Sequence, residues 1–328
     1  MSTRTTPSSR GAARALRSML PSGERSAGDA VLRGLCVLAG VLAALVLVDI
    51  AYQIVSGAQP AISRFGLGFL GHVTWAPNFN RFGAAAMLYG TAVTSLIALV
   101  IATPIAIAIA LYLSLLAPRA VRVIVGPLVE MLAAIPSVIL GFWGIIVFAP
   151  FMDAHIEPAL HSVLGFTGVF GAPQTTGLSV FTAGVILTVM VVPIIASLSR
   201  DLFLTVPREL TDGAEALGAT RWEVIRGVVL PSTFSGVSAA VMLGLGRALG
   251  EAIAVASVIG DGNVIHANLF NTGNTLAARI ALEITYVESK LQTPALFYLA
   301  LILLAIGLST NLIARAISNR FDVQRSFV

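Results

Sequence analysis

Charge is scarce in this chain: Asp, Glu, Lys and Arg make up 11% of its 328 residues, where a soluble globular protein carries roughly a quarter. So few charges do not solvate the surface of a folded domain of this length, which argues against a soluble protein. Lysine is nearly missing. Lys290, the one Lys, follows Ser289, whereas a phosphate-cradling P-loop needs its Lys behind a Gly. The chain therefore carries no Walker-A ATPase, and any ATP-driven work needs another polypeptide. Cysteine occurs once, at Cys36, which rules out an internal disulfide and reads as a small apolar packing residue. His72, His155, His161 and His266 lack the Cys or carboxylate neighbours of a metal site. No G-x-S-x-G turn supports a nucleophile, so neither metal binding nor catalysis has a motif to rest on.

Apolar sequence is abundant: 57% of the residues are hydrophobic. A membrane-spanning helix needs about 20 consecutive apolar residues, and six runs qualify: Leu32–Val55, Met87–Leu116, Val123–Ala149, Leu178–Leu198, Gly236–Gly260 and Pro294–Ile317. The expected fold is all-α, a polytopic membrane protein with six transmembrane helices. Arginine placement orients it, because cytoplasmic flanks of spans are enriched in Lys and Arg. Arg4, Arg10, Arg14, Arg17, Arg25 and Arg33 lie at or before the first span. Arg119 and Arg122, then Arg200, Arg208, Arg221 and Arg226, then Arg315, Arg320 and Arg325 fall on the same side. The other side holds Arg64, Arg81, Arg279 and Lys290. Both termini are thus expected in the cytoplasm, and the net charge of +4 follows from topology without a nucleic-acid partner. Residues 1–31, rich in Ser, Arg and Gly, read as a disordered basic tail; the apolar run after them is long enough to stay as a span rather than be cleaved as a signal peptide. Residues 318–328 read as a second cytoplasmic tail.

Three connections fall outside. The first, Ser56–Ala86, carries Phe65, Phe69, Trp75, Phe79 and Phe82 and is expected to form an ordered cap. The second, Pro150–Gly177, is expected as a loop with Asp153 and Glu157. The third, Asp261–Thr293, should hold a short helix over Thr275–Tyr286 capped by Asn274 or Thr275. Pro104, Pro136 and Pro193 fall inside predicted spans and are candidate kinks.

Arg247 and Glu251, in GLGRALGEAIAV, stand one helical turn apart near the middle of the fifth run. A lone Arg at a helix centre costs roughly 2.5 to 3.5 kcal/mol on insertion scales, so a neighbouring carboxylate is the expected remedy and the pair should face the protein interior. Functionally, Arg247 is an anion contact whose fork matches phosphate oxygens, held ready by Glu251; structurally, the two are an ion pair fixing helix packing. Gly236, Gly244, Gly246 and Gly250 are expected to admit close helix neighbours. Glu130, ahead of Pro136, reads as an interfacial carboxylate or a pathway residue, and Asp49 as a solvated group at the outer interface.

Between the fourth and fifth runs lies a polar module, Pro207–Pro231. Leu210, Ala214 and Leu217 form the apolar stripe of a first short helix, Gly218 breaks it, and Thr220 with Glu223 makes a capping box for a second. Val224, Ile225, Val228 and Val229 stripe that second helix, and Pro231 is expected to end it. From Asp212 to Pro231 the sequence resembles the cytoplasmic coupling loop of ABC importer permeases, whose pattern is E-A-A, three residues, Gly, nine residues, Ile, one residue, Leu-Pro. Gly218, Leu230 and Pro231 match, Asp212-Gly213-Ala214 replaces E-A-A, and Val228 replaces Ile.

The resemblance runs from about Leu32 to Ile317. FGLGFL with Trp75, LYGTAVTSLIAL, EMLAAIPSVILGFWG and GRALGEAIAV are similar to the C-type (PstC) permeases of bacterial phosphate-specific importers. That likeness implies a type I (MetI-like) ABC importer permease fold over residues 32–317 in the bacterial inner membrane. It implies partners: a second permease subunit (PstA-type), two ATPase subunits (PstB-type) and a phosphate-binding protein (PstS-type). No cofactor is expected on this chain; ATP and Mg are used by the partner ATPase. Carried over by position, Arg247 and Glu251 are substrate-path residues, and Asp212, Ala214, Glu215, Gly218, Leu230 and Pro231 couple to the ATPase. The expected function is inward transport of inorganic phosphate. Alternatives are another oxyanion such as sulfate or molybdate, a proton-coupled transporter relaying through Arg247, Glu251 and Glu130, or a scaffold recruiting a soluble protein.

Overall fold

A computed structural model describes residues 27–320; of the expected tails, residues 1–26 and 321–328 lie outside the described residues, while 27–31 and 318–320 belong to the first and last helices. Among the described residues the chain is helical, with one isolated β-bridge between Ala76 and Arg81. Six helical stretches are long and apolar enough to cross a membrane: Ala30–Phe65, Ala85–Leu116, Ser137–Thr167, Val180–Leu204, Arg221–Leu249 and Gln292–Ala316. The chain is therefore a multi-pass membrane protein.

Contacts divide it between Gln53 and Ile54. The described part of the first unit is one apolar helical stretch with exposed side chains such as Leu35, Leu42 and Val48. It belongs to helix α1, Ala27–Phe65, which runs well past the expected end at Val55 and contains Pro60. Asp49, as expected, is exposed, and accepts from Gln53 Nε2 at 2.6 Å.

In the second unit, helices α2 (Ala85–Leu111) and α5 (Val180–Leu204) form the axis of the core. Ala98, Ala102 and Ala106 recur every four residues on α2 and are fully buried with Ile186, Leu187, Met190 and Val191 of α5. Lipid offers no hydrophobic drive between helices, so association rests on close packing, and small residues permit it. Hydroxyls in this seam return to their own helix: Thr91 donates to Met87 O at 2.7 Å, Ser95 to Thr91 O at 2.6 Å and Thr188 to Gly184 O at 2.9 Å. No polar hydrogen is thereby offered to hydrocarbon.

The third span differs from expectation. Val123–Ala149 is not one helix: α3 (Arg119–Ala133) stops ahead of Pro136, and α4 (Ser137–Trp143) starts after it. Proline disfavours the helical conformation of the residue before it and donates no hydrogen bond, so a span running into Ile135-Pro136 divides there. Pro104 and Pro193, by contrast, sit within the continuous helices α2 and α5. Beyond Trp143 the helix continues through π-turns at Gly144–Phe148 and Met152–Ile156 and on to Leu164. Residues expected as the Pro150–Gly177 loop thus belong largely to the span, and Glu157 is fully buried in it.

After α5 come α6 (Arg208–Ala216), α7 (Arg221–Val224), a π-turn at Ile225–Val229 and α8 (Leu230–Leu249). Pro231 does not end the helix it was expected to end. The π-turn pairs Leu230 N–H with Ile225 O, a wider register that lets the chain carry a donorless residue at position 231. The fifth span therefore starts earlier than Gly236, and it stops at Leu249 rather than running to Gly260. Gly250 to Ala252 are non-helical, and α9 (Ile253–Val258) follows. Two glycines flanking Arg247, Gly246 and Gly250, weaken helix continuation at this place.

The opposite end carries the expected aromatic cap. Phe82 meets Trp75 edge-on at 5.0 Å and Phe65 at 6.0 Å, and Phe69 stacks on Tyr298 at 4.4 Å. Phe79 is exposed and takes no part. Helix α10 (Leu276–Glu283) is capped by Thr275, whose hydroxyl accepts from Ala278 N, and α11 (Gln292–Arg320) closes the chain.

Candidate substrate path and coupling loop

The polar module folds as its sequence dictates. Thr220 N–H donates to Glu223 Oε2 at 2.8 Å and Glu223 N–H to Thr220 Oγ1 at 3.4 Å, the reciprocal capping box. Gly218 has φ +90°, a left-handed conformation that L side chains rarely adopt, so it turns the chain between α6 and α7. Val224, Ile225 and Val229 bury the second stripe, with Val228 packed against the same cluster. The first stripe behaves differently: Leu210 is exposed and Leu217 is 91% exposed, while Ala214 packs inward. Asp212 and Glu215 are also exposed, Leu230 is half-buried and Pro231 exposed. Thr211, Glu215 and Arg221 line a cavity of about 220 Å³ floored by Leu115, Val224 and Val229. Trp222, unmarked in the sequence reading, is 63% exposed beside the turn. Leu217 and Trp222 thus leave two large apolar side chains uncovered on either side of the Gly218 turn.

Arg247 and Glu251 are brought together. Arg247 Nη2 lies 3.1 Å from Glu251 Oε2, with side-chain exposures of 48% and 4%. The expectation that both face the interior holds for the glutamate only. Arg247 ends α8, Glu251 sits in the non-helical break, and its Oε1 accepts Ala254 N–H at 3.4 Å at the start of α9. The carboxylate is anchored in the fold and presents a half-exposed guanidinium. Close packing comes from two of the four nearby glycines: a Cβ at Gly236 would meet Leu202 at 2.9 Å and one at Gly244 would meet Val191 and Ile195 at 2.8 Å, whereas Gly246 has open space and Gly250 only its own helix.

Glu130 does not join that pair. It accepts from Arg200 Nη2 of α5 at 2.7 Å, and Arg200 also bonds Asp201 at 3.0 Å. Glu130 is about half exposed, and the three-residue relay is not assembled as a unit.

Two buried charges were missed. Arg279 on α10 bonds Asp261 and Glu283, each at 2.8 Å, together with Asn263, and lies over the Trp75 ring at 5.8 Å. Its i, i+4 relation to Glu283 was legible; the loop partners were not. Glu157 accepts from Ser179 Oγ at 2.9 Å and Thr182 Oγ1 at 3.4 Å, beside the capped start of α5. No group of three or more potential metal ligands occurs among the described residues.

A helical bundle with a dividing third span, an exposed two-helix loop before the fifth and an anchored arginine at the end of α8 defines the class: a permease of the ABC importer type. Residues 102–323 match the family described as binding-protein-dependent transport system inner membrane component. The chain is 41% identical over 300 residues to the phosphate transport system permease protein PstC of Mesorhizobium japonicum, covering 90% of this chain and 91% of that protein. It is 43% identical over 283 residues to the protein of the same name from Pasteurella multocida, covering 85% and 88%. A chain in the crystal structure of a bacterial alginate ABC transporter, in complex with a pentasaccharide-bound periplasmic protein, superposes with a TM-score of 0.60 over 92% of this chain and 99% of that one. At 17% identity this likeness concerns the fold. The chain belongs to the binding-protein-dependent transport permeases, in the branch of the PstC proteins.

Proposed function

We propose that the chain is one of two permease subunits of an ATP-driven importer that carries inorganic phosphate into the cell, with both termini and the Pro207–Pro231 loop in the cytoplasm. The observation that carries this reading is the half-exposed Arg247 guanidinium fixed by the buried Glu251. Arg247 stands in the last turn of α8, at the break in the fifth span, where an arginine turned to lipid is costly; a polar path or a second permease covers it, and the N–H groups that Glu251 does not engage suit a tetrahedral oxyanion. The names borne by the relatives in this branch support phosphate as that anion. This chain does no chemistry on the substrate. Two ATPase subunits hydrolyse ATP with Mg; Gly218, the exposed Leu217 and the residues Asp212, Ala214, Glu215, Leu230 and Pro231 form or support the surface they push. A binding protein supplies phosphate at the opposite mouth. Uptake of labelled phosphate by proteoliposomes holding the four kinds of subunit tests this. It should require ATP and be competed by unlabelled phosphate but not by sulfate or molybdate. Uptake driven by a proton gradient without the ATPase, or preferential competition by sulfate, refutes it.

A further inference from the structure

We propose that the end of the molecule opposite the coupling loop carries a pocket for a phosphate group, built from Arg81, His72 and Thr74 over the rings of Phe65 and Phe82. The cavity measures about 300 Å³ and these five residues line it. Its position follows from the fold. Tyr89 near the start of α2 bonds His266, and Val180 at the start of α5 bonds Asn271 of the same connection; α5 then runs away from this end to the coupling loop.

Backbone geometry fixes the chain positions that carry the donors. Ala76 N–H donates to Arg81 O at 2.8 Å and Arg81 N–H to Ala76 O at 3.2 Å, closing a tight loop whose Asn80 has φ 50°. Ala85 N–H donates to His72 O at 3.1 Å, and a Cβ at Gly83 would stand 2.1 Å from that same oxygen. Only glycine lets the two segments approach so closely. Beneath them Phe82 is 3% exposed and held edge-on by Phe65 and Trp75. Phe82 thus gives the cavity a buried aromatic floor.

Charge points to the ligand. No carboxylate lines the cavity, and neither Arg81 nor His72 has an acidic partner among the described residues. A second guanidinium, Arg64, lies 6.0 Å from the centroid of the Phe65 ring. The pocket offers a guanidinium fork, an imidazole and a hydroxyl from three separate chain positions. A carboxylate would have to share its two oxygens among all three groups, whereas a tetrahedral phosphate group has a separate oxygen for the imidazole and the hydroxyl beside the two that the fork engages. Free phosphate and a phospholipid headgroup share this chemistry, and the end of a membrane-spanning helix is within reach of both.

The test uses the complete importer without its binding protein, in an Arg247→Gln background so that the proposed transport site contributes nothing. One arm titrates inorganic phosphate into phosphatidylcholine nanodiscs. The other follows retention of phosphatidylglycerol by native mass spectrometry. Saturable binding in either arm is expected, weakened roughly tenfold or more by Arg81→Gln with His72→Gln, the loss of two charge-assisted hydrogen bonds. ATP hydrolysis and thermal stability of the double variant report folding. Should they fall, R81K decides, because it keeps the charge and loses the fork. No wild-type binding in either arm, or binding that these variants leave intact, overturns the proposal.

Discussion

Two arginines of this chain each stand four residues before a glutamate, and the structure makes opposite use of them. Arg279 is 5% exposed, with Asp261, Glu283 and Asn263 on its two terminal nitrogens and Trp75 beneath. Glu283 in turn accepts from Trp75 Nε1 at 2.9 Å and Gln292 Nε2 at 2.8 Å. The cluster joins the Trp75 segment, the Asp261 loop, α10 and the start of α11. Arg247 has one carboxylate partner, itself 4% exposed, and is half open. The same spacing yields a guanidinium with both terminal nitrogens paired in one case and an anchored but available one in the other. What separates them is how many anions the fold brings in from elsewhere in the chain.

The comparison is broken most directly at Arg247. Arg247→Gln should lower phosphate uptake by roughly 100-fold or more, since a misplaced or missing substrate contact costs about that much, while the importer assembles and melts as the wild type does. Exchanging the charges, Arg247→Glu with Glu251→Arg, separates the two readings of the pair: a purely structural bridge would be restored by the exchange. Recovery of uptake there would sink the anion-contact role. Arg279→Gln should do the reverse. Asp261 is 57% exposed and water can solvate it, but Glu283 is 17% exposed and loses its cation; removal of one partner from a buried pair costs about 3 to 5 kcal/mol, the upper bound here. Unfolding in detergent should report that loss, with uptake per folded molecule largely kept. Equal stability of the two variants would erase the distinction.

Sequence carried much of this unevenly. The coupling loop was readable because its signals are local: a capping box four residues long and a glycine at a turn depend on neighbours in the chain. The spans were readable as composition, yet their ends were not. Ile135-Pro136 divides a run that hydropathy treats as continuous, and the π-turn at Ile225–Val229 carries Pro231 where a local rule predicts a stop. Glu157 falls beyond the apolar run that ends at Ala149, so it reads as a loop residue, yet the helix continues to Leu164 and Ser179 and Thr182 at the start of α5 meet it. Arg247 and Glu251 were found as a pair, but their unequal burial depends on the break at Gly250–Ala252 and on packing around α9. Arg279 escaped notice since an arginine in a connection looks solvated until Asp261 and Asn263 fold back onto it.

A finer variant asks how far the knot around Arg279 depends on its aromatic member. Trp75 is 7% exposed, packs edge-on against Phe82 and donates its indole N–H to both oxygens of Glu283 at 2.9 Å. Trp75→Phe keeps an aromatic ring against Phe82 but deletes the donor. Glu283 retains Arg279 and Gln292, so its charge stays paired and the damage should be limited to one hydrogen bond to a charged acceptor, about 1.5 to 3 kcal/mol. The loss should fall below that of Arg279→Gln in the same unfolding measurement. Combining the two substitutions sharpens the point, because residues of one network are not additive: once Arg279 is gone, Glu283 leans more heavily on the indole, and the second substitution should cost more than it does alone. Strict additivity would mean that Trp75 and Arg279 act on the cap separately, and the contrast with the lone pair at Arg247 would then be one of burial rather than of connection.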